Sequence, residues 1–363
     1  IQFTDRLGGD PEDYETVEVA EGEQKRRAFK GHFLDAHTLD FALSNQSRGL
    51  AKACEAWGVA HGKAEVEEHG VITPEYIDYN RRDVKATGEL LVKLLDEFER
   101  HPIPLQVTKA YSPASIAKSY LQTLGVVPPL ARQADFPRDV LGYAMCAYYG
   151  GRAECRIRRV PLPVRYVDFL SMYPTVNALM GNWSLLTAEN IDVVDASEVV
   201  RAFVDSVTVE DCFDPATWRR LPAFVQVLPR GEVLPVRTRY ESGGQSYQIG
   251  SNYLTSRTPL WYALPDVVAA KLLTGRAPEI VQAVRIQASG RQPRLHPVKL
   301  RGRVKVDPRT SDFFRAVIEE RKRSASDRSL TEAERQRLNT ALKTIANAGS
   351  YGIFAQMDRK ELP

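Results

Sequence analysis

The chain is 363 residues long, with 43% apolar and 26% charged residues and a net charge of +3. That length allows two or three domains with a substantial core, the composition is that of an ordinary globular chain, and the near-balance of charge excludes a global cationic field. The four cysteines have no C-x-x-C spacing and the six histidines no ligand pattern, which argues against a zinc site or a disulfide framework and fits a reducing compartment; no stretch reads as a membrane span or a signal peptide.

Residues 1–30 are polar and weakly periodic, and they read as a peripheral or incomplete segment. The chain begins at Ile1, as a piece of something longer would. Phe33-Leu34-Asp35 and Leu39 to Leu43 predict a strand leading into a helix. Leu50 to Trp57 predicts a second helix, ended by Gly58. Thr73-Pro74-Glu75 is a helix start, with Thr as N-cap and Pro at the first helical position. This helix runs to about Glu99, with Val84, Leu91 and Leu95 on one apolar face, extended by Leu90 and Leu94. Residues 101–140 are punctuated by proline and read as a connector, with one helical segment from Ile116 to Leu124. Ala147-Tyr148-Tyr149-Gly150-Gly151-Arg152 follows, a glycine turn beside two aromatic residues.

Val164 to Leu170 predicts a buried strand, apolar on both sides of Asp168. An ionised carboxylate there is costly unless something offsets its desolvation, such as a metal ion. The plainer reading is a strand-end acid capping the turn that follows. Further on, Ala223 to Leu228 and Ile280 to Ile286 read as β, Leu264 to Leu273 as helix, and Gly243-Gly244 as a turn. Residues 299–328 carry ten Lys or Arg against five acids. That run is either a solvated charged face or a phosphate-facing surface. Within it, Ser311 to Ser326 predicts a helix with Phe313, Phe314, Val317 and Ile318 inward. Arg321 continues that stripe, either snorkelling to water or held for a purpose. Ser329-Leu330-Thr331-Glu332 is a capping-box signature for a last helix, with Leu338, Leu342 and Ile345 buried. Lys343 and Asn347 form a separate polar stripe one turn apart.

Upstream, Tyr79 and Asp83 lie one helical turn apart. Such a pair can share a site in which the acid holds a metal and the phenol orients a water. It is equally a helix with a surface tyrosine and a salt-bridged aspartate.

Taken together, Asp168-Phe169-Leu170-Ser171-Met172-Tyr173-Pro174 and Lys343-Thr344-Ile345-Ala346-Asn347 with Tyr351-Gly352 resemble motifs A and B of the family B DNA polymerases, of the bacterial, phage or mobile-element type. Tyr79 to Asp83 resembles the third exonuclease motif, Y-x-x-x-D, and the Tyr149-Gly150-Gly151 region resembles the Y-x-G-G segment. The resemblance implies an α/β multidomain fold: an RNase H-like exonuclease module, a palm with an antiparallel sheet, and two-helix antiparallel fingers. Residues 1–105 would be a partial exonuclease module and 106–155 a connector. Residues 156–300 would be a palm with an insertion, 301–357 the fingers, and 358–363 the start of the return to the palm.

The implied activity is template-directed DNA synthesis, with 3′–5′ proofreading as a second activity. The alternatives are a non-catalytic DNA-binding module, or an exonuclease whose polymerase half has degenerated. Asp168 is implied as catalytic and metal-binding, with two Mg2+ ions (or Mn2+). Tyr173, Arg321, Lys343, Asn347 and Tyr351 are implied at the nucleotide, and Tyr149, Gly150, Gly151 and Gly352 at DNA. Tyr79 and Asp83 are implied in the exonuclease, with Asp83 on a metal. Primer–template DNA and dNTPs are the implied partners, without a membrane, in a cytoplasmic, nucleoid-associated location. Three departures stand out. Three residues, not two, separate Asn347 from Tyr351. No Y-x-D-T-D of motif C appears before Pro363, and no copy of the first two exonuclease motifs is found, Asp35 and Asp40 being only the nearest acids.

Overall fold

The structure, a computed structural model, describes residues 14–17, 26–29, 33–62, 71–155, 157–169, 171–238 and 248–350. Two short strands, β1 (Tyr14–Val17) and β2 (Arg26–Phe29), pair antiparallel. Helix α1 (Ala36–Ser44) follows Asp35, whose carboxylate caps it by accepting from the N–H groups of His37 and Thr38. The strand expected at Phe33-Leu34-Asp35 is not formed: these residues are irregular, and Asp35 is used as a cap. Helix α2 (Leu50–Trp57) ends at Gly58, which has φ 65, a conformation that glycine adopts without strain. Helix α3 (Pro74–Glu99) starts where Thr73 and Pro74 place it, with the Thr73 hydroxyl accepting from Tyr76 N–H. Leu90, Leu91 and Leu94 of α3 are buried, whereas Val84 is exposed.

Helices α4 (Pro113–Thr123), α5 (Pro129–Arg132) and α6 (Arg138–Ala147) occupy the proline-punctuated region. Next come α7 (Met172–Met180), α8 (Asn182–Thr187), β3 (Asn190–Asp195), α9 (Ser197–Ser206) and α10 (Pro215–Trp218). Strands β4 (Ala223–Leu228), β5 (Arg230–Thr238), β6 (Gln248–Thr255) and β7 (Leu260–Ala263) precede α11 (Leu264–Thr274) and β8 (Glu279–Ser289). A ribbon of β9 (Val298–Leu300) and β10 (Val304–Val306) leads to α12 (Phe313–Ala325) and α13 (Glu332–Ala348). Among the described residues every strand pairing is antiparallel, and no helix is long and apolar enough to cross a membrane.

The chain divides into two compact units. The first comprises residues 1–125, 296–307 and 316–363, and the second residues 126–295 and 308–315. The sequence-predicted connector, 106–155, is therefore split: α4 belongs to the first unit and α6 to the second. In the first unit α1, α3, α4 and α13 pack together. Leu39, Leu94, Ile116, Leu121, Leu342 and Ile345 are buried there.

The second unit is built on a sheet of order β3-β8-β4-β7. Ala223, Val225 and Val227 alternate along β4 and pack with Phe203 of α9 and Val267 of α11 in one apolar cluster. Period-two alternation puts these side chains on one face of the sheet. Tyr143 of α6 stacks on Trp261, with ring centroids 3.7 Å apart. Trp261 is the register partner of Gln226, so α6 lies over the opposite face.

Residues 161–169 correct the expectation of a buried strand. They carry no strand pairing, and Val164, Tyr166, Val167 and Phe169 are between 76% and 92% exposed. An extended segment becomes a strand only by bonding to a neighbour, and among the described residues this one has none.

Candidate functional site

Asp168 belongs to that extended segment and is exposed. Its carboxylate is thus in water, and the desolvation argument for a metal at this residue does not hold in this structure. The chain then turns through Ser171, with φ 50, into α7. Tyr173 stands in the first turn of α7, half exposed, while Pro174 beside it is buried. The stiff tyrosine–proline step is therefore present, and the ring is accessible.

At the glycine turn, Gly150 has φ 78. Tyr149 is not an open ring. It stacks on Tyr262, with centroids 5.5 Å apart and planes at 6°, and the Arg237 guanidinium lies 5.0 Å from its centroid. Burial, first of all, raises the Tyr149 phenol pKa. The exposed ring is Tyr148, 70% accessible. In Y-x-G-G spacing the first position is Tyr148, followed by Gly150 and Gly151, so the accessible ring stands one residue before the sequence-predicted Tyr149.

In the first unit, Arg321 and Lys343 converge on one helix face. Arg321 Nε donates to Asn339 Oδ1 at 3.0 Å. Asn339, Lys343 and Asn347 are spaced four apart on α13 and so form one stripe. Lys343 on it is exposed and Asn347 half-buried. Burial lowers the pKa of the Arg321 guanidinium. Helix α13 is capped by Thr331, whose hydroxyl accepts from Glu334 N–H. The capping motif is thus Thr331-x-x-Glu334, and Ser329 instead bonds Asp327. Gly349 remains right-handed at φ −73, donating to Ile345 O. The helical bonding thus reaches Gly349 itself, with no left-handed glycine break before Ser350. Tyr351 and Gly352 lie outside the described residues.

Tyr79 and Asp83 share α3. Tyr79 is half-buried and stacks with Tyr76 at 5.8 Å. Asp83 Oδ1 is buried and accepts no hydrogen bond among the described residues. Such an orphaned oxygen fits a ligand or water partner. The nearby acids are committed elsewhere. Asp35 caps α1, and its hydrogen bond from the Thr38 hydroxyl, first of all, lowers its pKa. Asp40 is 1% exposed and accepts from Arg48 and Trp57. Among the described residues no group of three or more His, Cys, Asp or Glu side chains is arranged to hold a metal ion. Asp83 and Asp168 would each supply a single carboxylate.

Comparison of the chain with known protein families, curated proteins and solved structures finds no match. The resemblance to a family B polymerase therefore rests on the motifs alone.

The basic run also divides by role. Arg301 is buried at 2% exposure. Its guanidinium bonds Glu97 at 2.5 and 2.8 Å and Glu334 at 2.6 and 3.2 Å. It is a tie inside the first unit, which periodicity in the run could not reveal. Lys299 and Lys305, by contrast, are exposed and directly opposite each other across the β9–β10 ribbon. Like charges so paired repel, and an anion between them would relieve that repulsion.

Proposed function

We propose that this protein is a template-directed DNA polymerase of the family B kind, with a 3′–5′ exonuclease site at Tyr79 and Asp83. The observation that carries the reading is the Arg321–Asn339 hydrogen bond. It aligns a half-buried guanidinium with the Lys343–Asn347 stripe, as two cations serving one triphosphate require. The exposed Tyr148 beside the Gly150-Gly151 turn and the Lys299–Lys305 pair support contact with DNA. The orphaned Asp83 Oδ1, one turn from Tyr79, supports the nuclease part. In this reading, the RNase H-like module corresponds to the first unit's N-terminal helices, the palm to the antiparallel sheet, and the fingers to α12 and α13.

Asp168 is proposed as one carboxylate of a two-Mg2+ site. Among the described residues no cluster of three or more His, Cys, Asp or Glu side chains includes it. Tyr173 is proposed as the ring beneath the nucleotide sugar.

The test is nucleotide dependence in the longest native form of the protein. Lys343→Ala is expected to raise the dNTP concentration needed for half-maximal incorporation by about tenfold or more, the loss of one charge-assisted phosphate contact. Primer–template affinity should change little. A variant that loses DNA affinity and keeps normal dNTP dependence would move Lys343 from the nucleotide to the duplex. A binding module without chemistry would hold primer–template and incorporate nothing.

A further inference from the structure

Behind the Tyr148–Gly151 turn, the second unit contains a cavity of about 240 Å3. That is below the usual size of sites for drug-sized ligands, so it suits one small ring system. Its walls include Val233, Pro235, Ile249 and Leu273, all apolar, with Tyr149 alongside. Tyr149 is backed by its parallel partner Tyr262, so that wall is flat and rigid.

Two charged side chains line the same cavity. Arg152 is one. Its guanidinium donates to Ser251 Oγ at 3.1 Å and lies 3.7 Å from Glu154, with 54% of the side chain exposed. Asp266 is the other, in the first turn of α11. An acid there complements the positive end of a helix, which explains its presence and not its half-buried place at the cavity wall. No hydrogen bond or ion pair to its carboxylate is found among the described residues. Burial pushes its pKa up to about 6, and its charge also raises the pKa of the neighbouring phenols of Tyr149 and Tyr262, behind the larger effect of burial. Asp266 is half-buried at the cavity wall; a partly desolvated carboxylate without a partner is costly to ionise, and such groups concentrate where a ligand completes them.

We propose that this cavity receives one amino-bearing nucleobase of a single DNA strand, its exocyclic amine donating to the Asp266 carboxylate and its adjoining phosphate lying towards Arg152. Adenine, cytosine and guanine each carry such an amine. Thymine presents a carbonyl there instead, whose oxygen is repelled by the carboxylate; its one donor on that edge is the ring N3–H, set one position away from the exocyclic group. The site thus gives base preference to a segment that the polymerase reading treats as a sequence-neutral template contact. It rests on that reading only for the presence of single-stranded DNA at this turn.

The experiment is fluorescence anisotropy of short labelled oligo(dA), oligo(dC) and oligo(dT) with the whole chain. Oligo(dA) and oligo(dC) are expected to bind about tenfold tighter than oligo(dT), the effect of about 1.4 kcal/mol. Asp266→Asn should bring all three to similar affinity, because an amide can also donate to the thymine carbonyl. The same variant should keep or raise the unfolding temperature, by about 2–4 °C per kcal/mol of relieved burial. A helix-end role alone predicts the opposite, a lower temperature and unchanged base preference. Equal binding of the three strands by the wild type, or a preference that survives Asp266→Asn, overturns the inference and leaves the polymerase reading standing. Absence of any strand binding overturns both.

Discussion

Arg301 has a left-handed backbone, φ 47, and sits at the hub of the first unit. Burial alone would lower its guanidinium pKa, but its bonds to Glu97 and Glu334 outweigh that and raise it. Its N–H donates to the Tyr120 hydroxyl at 2.8 Å, and that hydroxyl lies 2.7 Å from His101 Nδ1. Glu97 lies in the last turn of α3, Tyr120 on α4 and Glu334 in the first turn of α13, so one residue, through its side chain and its backbone N–H, joins segments far apart in sequence. Removing one member of a buried ion cluster leaves its partners charged and unpaired, at about 3–5 kcal/mol. Arg301→Ala is therefore expected to lower the unfolding free energy of the first unit by that amount, read as a fall in its denaturant midpoint at unchanged m-value. A loss below about 1 kcal/mol, the range of an exposed pair, would show the cluster to be superficial. The sequence offers no sign of it: Arg301 is one cation among ten, and its partners lie 204 and 33 positions away.

At the level of elements, the helices with local signals are legible. Thr73-Pro74 fixes the start of α3, Gly58 the end of α2, and the Leu338–Leu342–Ile345 spacing the buried face of α13. These depend on contacts within a few residues. The segment 161–169 was not legible, because its apolar pattern matches a buried strand while strand formation depends on a partner that local pattern cannot supply. The candidate site divides in the same way. The Lys343–Asn347 stripe follows from helix periodicity, but its link to Arg321 runs through Asn339, which carries no motif. Asp266 reads in sequence as an ordinary first-turn acid after Pro265, and only the packing of α11 gives it a buried setting. The four-residue spacing of Tyr79 and Asp83 is legible in the sequence, whereas the unpartnered oxygen is a property of packing.

At the scale of the whole molecule, the two units carry buried titratable groups of opposite sign. In the first, burial, aided by Arg301 and Arg100, pushes the His101 pKa down to about 3. Unfolded, that imidazole takes a proton near pH 6.5. The stability it represents is present above pH 6.5 and lost as pH falls towards 3. In the second unit Asp266 is raised to about 6. Its carboxyl favours the folded state when protonated, and that gain is lost as pH rises from about 4 through 6. Acidification from pH 7 to 4.5 should therefore weaken the first unit and spare or strengthen the second. Calorimetry across this range is expected to show one transition moving down in temperature while the other holds or rises. His101→Gln should flatten the first response, and Asp266→Asn the second. Two transitions falling in parallel would refute the assignment of these groups.

The claim that most needs testing is template-directed synthesis, and primer extension by the longest native form tests it most directly. With Mg2+, dNTPs and a defined template, the wild type is expected to add nucleotides in the order the template dictates. Asp168→Asn should bind the same primer–template with similar affinity and add none, since an exposed residue can lose its charge without loss of fold. Template-independent or absent incorporation by the wild type, or wild-type extension by Asp168→Asn, would contradict the account.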